Sequence, residues 1–355
     1  MKKHNFSAGP CILPQEVFQQ ASEAVLNFNN IDLSLIEISH RSADFVAIME
    51  NARSLVKELL RVPEGYSVLF LQGGASLEFL MVPYNLMKEG GKAAYLDTGA
   101  WANKAIKEAK ILGETLVLGS SKDKNYNYIP KGYEIPTDAD YFHCTSNNTI
   151  YGTQMKDFPS APSLMACDMS SDIFSKKINV ADFDLIYAGA QKNMGPAGTT
   201  LVIVKDEVLG KTNRTIPTML DYTTHIKKES MFNTPPVFAV YVSMLTLEWL
   251  KKKGGLEWIE KVNQTKADLI YSEIDRNPLF TGSAATEDRS NMNVTFLLND
   301  TSLEDQFKQM WQVAGCNGLK GHRSVGGFRA SMYNALPLES VQVLVDVMQE
   351  LERKA

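Results

Sequence analysis

The 355-residue sequence is poor in cysteine and has no long hydrophobic run. Its four cysteines (Cys11, Cys144, Cys167 and Cys316) lie far apart and form no Cys-x-x-Cys pair. This spacing argues against a disulfide framework or a metal site and is typical of reduced thiols in the cytoplasm. A nucleophilic cysteine is a less favoured alternative to buried thiols. The N-terminal stretch MKKHNFSAGPCILP has no apolar segment like that of a secretory signal, and no run is long enough to span a membrane.

The sequence also lacks a strong charge of either sign. Its 36 Lys and Arg against 41 Asp and Glu give a net charge of −5, with no long run of one sign. This balance predicts neither nucleic acid nor a membrane surface as a partner. Positive charge that binds an anionic substrate must therefore come from a few local residues. The composition, 44% apolar and 22% charged, is that of a globular protein with a sizeable core.

Short apolar runs alternate with helical patterns over the first 254 residues. The runs are SVLFLQ, AAYLD, ADYFHCT, SLMACD, DLIYAGA and TTLVIVK. They predict an α/β fold with a mainly parallel sheet covered by helices on both faces, and such sheets bind ligands at the carboxyl ends of their strands. After a long helical stretch that ends at Gly254, the pattern becomes α+β. We therefore divide the chain into an N-terminal segment near the site (1–15), a large domain (16–254) and a small C-terminal domain (255–355).

Two residues that follow predicted strands carry reactive groups. Lys192, in DLIYAGAQKNMGPAG, lies beyond an apolar strand among small residues, where its amine could attack an aldehyde. Asp168 ends the run SLMACD, and a half-buried carboxylate there requires a partner. The protonated ring nitrogen of pyridoxal phosphate is one such partner. The alternatives are a solvated surface lysine and an aspartate that caps the following segment, SSDIF.

A glycine-rich turn and a tryptophan add two weaker signals. In QGGASLEF, two glycines and a helix N-terminus would bring backbone amides to a phosphate, with Ser76 adding a hydroxyl. The stretch lacks the Walker lysine and the Gly-x-Gly-x-x-Gly pattern, so it indicates a phosphate without identifying the molecule that carries it. Trp101 opens a helix after AAYLD, where it would either stack on a planar ring or pack in the core.

The order of these motifs along the chain resembles the phosphoserine aminotransferase family. The series is GGAS, Trp101, SNNTIYGTQ, CDMSSD, GAQKNMGPAG, FNTPP and GHRSVGGFRASMYNALP, and the resemblance runs from NFSAGPCILP to the last helix. The lysine motif indicates only the wider class V, whereas HRS (40–42) with GHRSVGGFRAS (321–331) singles out the phosphoserine branch. The resemblance implies a pyridoxal-phosphate-dependent transferase of fold type I. Such a fold has a large domain with a mainly parallel, seven-stranded type of sheet and a smaller α+β domain.

The resemblance implies roles around the cofactor, pyridoxal 5'-phosphate. Lys192 would form the Schiff base, Asp168 would contact the pyridine nitrogen, and Trp101 would stack on the ring. Thr149 and Gln191 would form hydrogen bonds to the phenolic oxygen and phosphate region of the cofactor. Ala75 and Ser76 would contribute to the phosphate cup. Position 76 varies among relatives, so a contact from the Ser76 side chain is in doubt. The cofactor phosphate of a neighbouring subunit would be reached by Asn233 and Thr234, which implies a homodimer with shared active sites.

Five basic residues are implied to bind the anionic groups of the substrate: His40, Arg41, His322, Arg323 and Arg329. An arginine fork matches both phosphate and carboxylate, and these residues would supply the local positive charge that the chain as a whole lacks. We expect Arg329 to hold the α-carboxylate and the other four to bind the distal phosphate. Surface salt bridges are the alternative for some of these arginines.

The implied reaction is reversible transamination of 3-phosphohydroxypyruvate with L-glutamate, giving O-phospho-L-serine and 2-oxoglutarate in serine biosynthesis. A candidate second substrate is 4-phosphohydroxythreonine of pyridoxine biosynthesis. Three alternatives remain: another class-V aminotransferase, such as an alanine–glyoxylate enzyme, a cysteine desulfurase, and a catalytically silent binding protein. A desulfurase needs a cysteine in a glycine-rich loop, which none of the four has, and a silent binder has no need of both Lys192 and Asp168.

Overall fold

The central element of the structure is a seven-stranded sheet. The structure is a computed structural model and describes residues 3–355. Its strands are β1 (His4–Asn5), β2 (Tyr66–Leu71), β3 (Lys92–Asp97), β4 (Glu114–Ser120), β5 (Tyr141–Thr145), β6 (Asn147–Asn148), β7 (Thr153–Gln154), β8 (Leu164–Asp168), β9 (Leu185–Gly189), β10 (Thr200–Lys205), β11 (Phe280–Gly282), β12 (Asn293–Leu298), β13 (Cys316–Asn317) and β14 (Phe328–Ser331). Its α-helices are α1 (Gln15–Leu26), α2 (Ala43–Leu60), α3 (Gly74–Leu86), α4 (Ala100–Leu112), α5 (Tyr222–Lys227), α6 (Val237–Lys253), α7 (Gly255–Arg276), α8 (Glu304–Val313) and α9 (Leu338–Lys354).

The strands of the large sheet lie in the order β2-β10-β9-β8-β5-β3-β4. Only β10 is antiparallel to its neighbours, so all the other strands run in one direction. The predicted α/β fold with a mainly parallel sheet is therefore confirmed. The carboxyl ends of the parallel strands lie along one edge, and the candidate residues Trp101, Thr149, Asp168 and Lys192 lie at these ends or in the segments that follow them.

Strand β4 was not among the predicted strands, because it lies at the edge of the sheet. It pairs only with β3, and its residues are exposed or half-buried throughout, with Val117 47% exposed. A strand of this kind lacks the continuous apolar run of a parallel strand that is buried on both faces.

Helices cover both faces of the large sheet, as its apolar strands require. The helices α1, α2 and α6 pack on one face, with buried side chains such as Leu55 and Leu245. The helices α3 and α4 pack on the other face, with buried side chains such as Phe79 and Ile106. This layering brings the first turns of α3 and α4 to the carboxyl edge of the sheet.

A second hydrophobic core lies beside the antiparallel sheet of β11, β12 and β14, with α7, α8 and α9 packed around it. Phe6 and Ile12 are buried in this core, and β1 pairs with β13, so the N-terminal segment packs on the C-terminal part of the chain. Between the two cores, α6 ends at Gly254, which adopts a φ of 114°. The left-handed backbone at this turn favours glycine.

Within residues 3–355, no helix is long and apolar enough to cross a membrane. The same residues contain no cluster of His, Cys, Asp or Glu side chains that could hold a metal ion. All four cysteines are free thiols, although Cys144 and Cys167 lie on paired strands with their Sγ atoms 3.6 Å apart.

Candidate active site

Asp168 and Lys192 lie at adjacent strand ends on the carboxyl edge of the large sheet. Asp168 is the last residue of β8, and its parallel neighbour β9 ends at Gly189, just before the loop that carries Lys192. The charge of Asp168 acts on the Lys192 amine. The structure thus brings into one site two residues that are 24 positions apart in the chain.

The amine of Lys192 is held in place by a threonine. Its Nζ donates a 2.8 Å hydrogen bond to Thr149 Oγ1 and lies 5.9 Å from the centre of the Trp101 ring. Burial disfavours the charged form and lowers the pKa of Lys192 to about 8, although the nearby charge of Asp168 opposes this shift. A substantial fraction of the amine is therefore neutral and nucleophilic near pH 8, unlike that of a solvated lysine.

The carboxylate of Asp168 is buried and only partly satisfied. Its Oδ1 accepts a 2.9 Å hydrogen bond from the Ser170 amide, and the Ser170 side chain also acts on the carboxylate. Burial raises the pKa of Asp168, with the Ser170 hydrogen bond and the Lys192 charge opposing it. The alternative in which Asp168 caps the next segment accounts for the bonds to Ser170, and a carboxylate has further lone pairs that can accept from a ligand N–H group.

The glycine-rich turn forms a cradle for an anion at the N-terminus of α3. Gly73 (φ 93°) and Gly74 (φ 66°) adopt left-handed conformations, and no side chain caps the helix. A Cβ atom on Gly73 would lie 2.5 Å from the Leu77 side chain, so this position requires glycine. Ala75 and Ser76 occupy the first turn of the helix. The uncapped amides and the helix dipole together favour a phosphate here.

Trp101 and Gln191 complete the lining around Lys192. Trp101 lies in the first turn of α4, half-buried, and its indole Nε1 is buried without a hydrogen-bond partner in the described chain. Because Lys192 Nζ lies over its ring, Trp101 faces the site and is not confined to the core. Gly189 makes room for Gln191, since a Cβ atom there would lie 2.7 Å from Gln191 Oε1.

Arg329, on β14 of the small sheet, reaches across to the same site. Its Nη1 donates a 3.2 Å hydrogen bond to the carbonyl of Thr149, and its Nε is buried without a partner. No carboxylate in residues 3–355 forms an ion pair with it. Burial lowers the pKa of Arg329, and its charge lowers that of Lys192. An arginine that is held but unpaired in this way is suited to an anionic ligand.

His322 and Arg323 lie beside Arg329 in the loop before β14. The pKa of His322 is lowered by partial burial and then by the charges of Arg329, Arg323 and Lys104. Arg323, Arg329 and Lys104 therefore form a small cationic cluster at the mouth of the site, and their charges favour the neutral form of His322. His322 Nδ1 lies 2.7 Å from Ser324 Oγ and accepts from the Ser324 amide at 3.2 Å, which fixes the ring.

The remaining predicted residues are not joined to this cluster within one chain. His40 and Arg41 lie in the turn before α2, and in the described chain no hydrogen bond or ion pair links their side chains to Lys192 or Arg329. Asn233 and Thr234 are exposed. The Thr234 carbonyl accepts a 2.6 Å hydrogen bond from Gln72 Nε2, next to the glycine cradle of the same chain.

The sequence analysis missed three residues that the structure places at the site. Lys104 Nζ lies 4.4 Å from the centre of the Trp101 ring, and its position one helical turn after Trp101 was a usable signal. Cys11 Sγ donates a 2.6 Å hydrogen bond to the Lys192 carbonyl. Tyr333, near the charge of Arg329, donates a 2.8 Å hydrogen bond from its Oη to the carbonyl of Ala8. Neither Cys11 nor Tyr333 has a signal in the local sequence, because each reaches the site from a distant segment.

The fold and the Lys192–Asp168 pair are typical of an enzyme that uses a cofactor with an aldehyde group. In agreement, the family model described as aminotransferase class-V matches residues 3–344. The chain is therefore a class-V aminotransferase, an enzyme dependent on pyridoxal phosphate.

Individual relatives define the family more narrowly. A phosphoserine aminotransferase of Flavobacterium johnsoniae is 70% identical over 355 residues, which cover 100% of both chains. The solved phosphoserine aminotransferase of Bacillus circulans subsp. alkalophilus is 44% identical, covers 99% of each chain and has a TM-score of 0.96. The pyridoxal-phosphate-bound phosphoserine aminotransferase of Trichomonas vaginalis is 35% identical, covers 98% of this chain and 100% of its own, and has a TM-score of 0.93. The chain belongs to the phosphoserine aminotransferase family.

The residues of the site fit pyridoxal 5'-phosphate. The uncapped N-terminus of α3 matches its phosphate, the buried carboxylate of Asp168 matches a protonated ring nitrogen, and the partly neutral amine of Lys192 matches its aldehyde. Within residues 3–355, none of these groups has all of its hydrogen-bonding positions occupied. The one hydrogen bond of Lys192 Nζ is the bond to Thr149.

Proposed function

We propose that this chain catalyses reversible amino transfer between L-glutamate and 3-phosphohydroxypyruvate, giving 2-oxoglutarate and O-phospho-L-serine, the transamination step of serine biosynthesis. The observation that carries the proposal is the position of unpaired cations around the Lys192–Asp168 pair. Arg329 bonds to Thr149, the partner of Lys192, and lies beside the cluster of His322, Arg323 and Lys104. Both amino acids carry an α-carboxylate and a second anionic group, and the site offers cations for both.

In the proposed mechanism Lys192 moves the proton. The cofactor, when bound, supplies an aldehyde carbon that amines attack and a ring that withdraws electrons. The buried amine of Lys192, whose pKa is lowered to about 8, would take the substrate's α-proton and return it as general base and acid. Asp168 holds a proton at the ring nitrogen, and Trp101 covers the ring and excludes water. The first turn of α3, with Ala75 and Ser76, binds the phosphate, while Thr149 and Gln191 orient the phenolic side.

Different basic residues bind the two ends of the substrate. Arg329 binds the α-carboxylate of both amino acids, because it lies closest to the Lys192 partner Thr149. His322 and Arg323, with His40 and Arg41, bind the distal phosphate and, more weakly, the side-chain carboxylate of glutamate. The same distal cluster would accept 4-phosphohydroxythreonine, a second phosphorylated substrate.

We also propose that two chains share their active sites in a homodimer. Large apolar side chains are exposed beside both segments that remain outside the cluster: Leu33 and Ile36 near His40, and Phe232 and Phe238 around Asn233. Exposed apolar groups of this kind mark an association surface. A symmetric dimer would place Asn233, Thr234, His40 and Arg41 of one protomer against the site of its partner.

Mixing two inactive variants tests the shared site. One variant is Lys192→Ala, and the other carries Asn233→Ala and Thr234→Ala together. If the residues act across the interface, each heterodimer contains one intact site, and random exchange of protomers restores about a quarter of wild-type activity. If all these residues act within one chain, no heterodimer has an intact site and mixing restores nothing. Mixing each variant with itself is the control.

The absorbance spectrum of the purified protein tests the reaction. We expect a band near the visible edge that bleaches when O-phospho-L-serine or L-glutamate is added. Bleaching by alanine but not by O-phospho-L-serine would overturn the substrate and keep the cofactor. A protein with no band after incubation with pyridoxal phosphate would contradict the role of Lys192.

Two further features belong to the proposal. The large domain spans 16–254 and the small domain 255–355, a division supported by the two separate cores and the left-handed turn at Gly254. A cytoplasmic location is supported by the four free thiols, since Cys144 and Cys167 lie close together yet unlinked, as in a reducing compartment.

A further inference from the structure

Three consecutive backbone carbonyls after Asp168 each accept a hydrogen bond from a buried asparagine side chain. The donor–acceptor pairs are Asn193 with Ile173 (3.1 Å), Asn334 with Phe174 (2.9 Å) and Asn263 with Ser175 (3.2 Å). The three asparagines are at most 5% exposed. Asn193 directly follows Lys192, whereas Asn334 and Asn263 belong to the C-terminal part of the chain. This asparagine cluster therefore joins the loop of Lys192, the segment after Asp168 and the C-terminal part of the chain.

Both ends of the Asn193 side chain have partners of fixed polarity. Its Nδ2 donates to the Ile173 carbonyl at 3.1 Å, and its Oδ1 accepts from the backbone amide of Asn334 at 2.9 Å. A weaker 3.5 Å bond runs from Nδ2 to Met292 Sδ. A carbonyl can only accept and a backbone N–H can only donate, so the side chain cannot turn over without losing both of its main bonds. Asn193 therefore has a single orientation, in which it bridges the segment after Asp168 and the segment after β14.

The peptide group that donates to Asn193 is itself held by a buried lysine. Its N–H belongs to Asn334 and its carbonyl to Tyr333, and that carbonyl accepts from Lys266 Nζ at 2.9 Å. The same amine, on a side chain that is fully buried, donates to two further carbonyls of this segment, those of Met332 (3.0 Å) and Leu336 (3.2 Å). A donor on the carbonyl side of a peptide polarises it and strengthens the bond that its N–H makes. The anchor of the Asn193 side chain is therefore fixed in position.

The bonds of Asn193 act on Lys192 through the backbone. One peptide group joins the two residues, and its carbonyl, that of Lys192, accepts from Cys11 Sγ at 2.6 Å. Asp168 ends β8 only five residues before Ile173, so the bond from Asn193 to Ile173 ties the Lys192 backbone to the end of that strand. The ring nitrogen and the aldehyde of pyridoxal phosphate lie on opposite sides of one rigid ring. The distance between Asp168 and Lys192 must therefore match that ring.

We propose that Asn193 is a positioning residue, whose side chain sets the distance between the Lys192 amine and the Asp168 carboxylate. The proposal rests on the roles of Lys192 and Asp168 in the proposed function. Without the Asn193 amide, the loop loses its bonds to the Ile173 carbonyl and to the Asn334 N–H group. The Lys192 amine then adopts the position for attack on the aldehyde less often, although no group that contacts the cofactor has been removed.

The test is the rate at which cofactor-free protein develops the absorbance band of the bound cofactor, measured by stopped flow with saturating pyridoxal phosphate at about pH 9. At this pH the Lys192 amine, whose pKa is lowered to about 8, is mostly neutral, so the rate reports its position. We expect Asn193→Ala to develop the band about ten- to a hundredfold more slowly, the effect of a misplaced reacting group. In the loaded enzyme, we expect kcat to fall in both half-reactions with KM unchanged, because the basic residues that bind the substrate are intact.

Asn334→Ala is the matched control for a loss of stability. It also deletes two hydrogen bonds of the asparagine cluster, those with the Phe174 carbonyl and with Asn263, but it keeps the backbone N–H that donates to Asn193. Urea unfolding should show similar losses of stability for the two variants, whereas Asn334→Ala should take up the cofactor at the wild-type rate. If Asn193→Ala does not fold, Asn193→Leu and Asn334→Leu, which keep the side-chain volume, give the same comparison.

Equal slowing by the variants of Asn193 and Asn334, or no slowing by those of Asn193, would overturn the proposal. The measurement needs no amino substrate, so a wrong substrate assignment would not affect it. Lys192→Ala is measured in parallel and should develop no band. A band that forms in Lys192→Ala at the wild-type rate would show that the role of Lys192 in the proposed function is wrong, and would overturn this proposal as well.

Discussion

The guanidinium of Arg329 donates a 3.2 Å hydrogen bond to the carbonyl of Thr149, the residue whose hydroxyl accepts from Lys192. This contact joins the small antiparallel sheet, where Arg329 lies, to the carboxyl edge of the large sheet. Through Thr149, the Arg329 guanidinium is thus linked to the amine of Lys192. The contact supports the proposal that Arg329 binds the α-carboxylate of the substrate.

Replacing Arg329 with lysine should weaken the binding of both amino substrates to a similar degree. Lysine keeps the charge but cannot offer two parallel N–H groups to a carboxylate, so we expect KM for glutamate and for O-phospho-L-serine to rise by about ten- to a hundredfold. Single-turnover bleaching of the cofactor with each substrate measures this. A change confined to one substrate would show that Arg329 does not bind the group that both share.

Removing a cation from the distal cluster should affect the phosphorylated substrate more strongly. Arg323→Leu should reduce kcat/KM for O-phospho-L-serine by about ten- to a hundredfold more than for glutamate, because a phosphate carries more charge and more acceptor oxygens than a carboxylate. Lys104→Gln should have the same preference with a smaller effect, since the Lys104 side chain is exposed. Equal losses for the two half-reactions would contradict this division of roles.

Cofactor uptake should depend on pH through the amine of Lys192. Burial lowers its pKa to about 8, and the amine attacks an aldehyde only when neutral, so the uptake rate should rise with pH and level off above about 8. Asp168→Asn removes the negative charge that raises this pKa, and the midpoint should move to lower pH. Stopped-flow absorbance with cofactor-free protein measures both midpoints. An unmoved midpoint would mean that the charge of Asp168 does not reach the amine.

Glu78 should make the stability of the protein depend on pH. It is fully buried in α3, accepts a 2.5 Å hydrogen bond from Tyr222, and its pKa is raised to about 8 by burial. The folded state therefore binds more protons than the unfolded state between about pH 4.5 and 8, and stability falls as pH rises through this window. The slope from this one group is at most about 1.4 kcal/mol per pH unit.

Glu78→Gln should remove that contribution. Urea unfolding at pH 5 and pH 8.5 should show the variant gaining stability relative to the wild type as the pH rises, because the amide stays neutral. The exposed Glu64→Gln is the matched control and should show no such gain. A constant difference between wild type and Glu78→Gln across this pH range would mean that folding does not raise the pKa of Glu78.

The sequence by itself determined the large sheet and the reactive residues that follow its strands. Buried parallel strands are apolar along their whole length, so their ends could be read from the sequence, and Asp168 and Lys192 lie at such ends. The glycine cradle could also be predicted from the sequence, because the backbone conformation at Gly73 excludes other residues. Edge strand β4 could not be read in this way, since its exposed side chains carry no apolar run.

Only the tertiary structure decided how distant segments meet at the amine. The contact of Arg329 with Thr149 and that of Cys11 with the Lys192 carbonyl join residues far apart in the chain, and no local spacing encodes them. The lowered pKa of Lys192 is likewise a tertiary property, because it arises from burial by all of these segments together. A motif can identify a lysine, but the packing around that lysine sets its pKa.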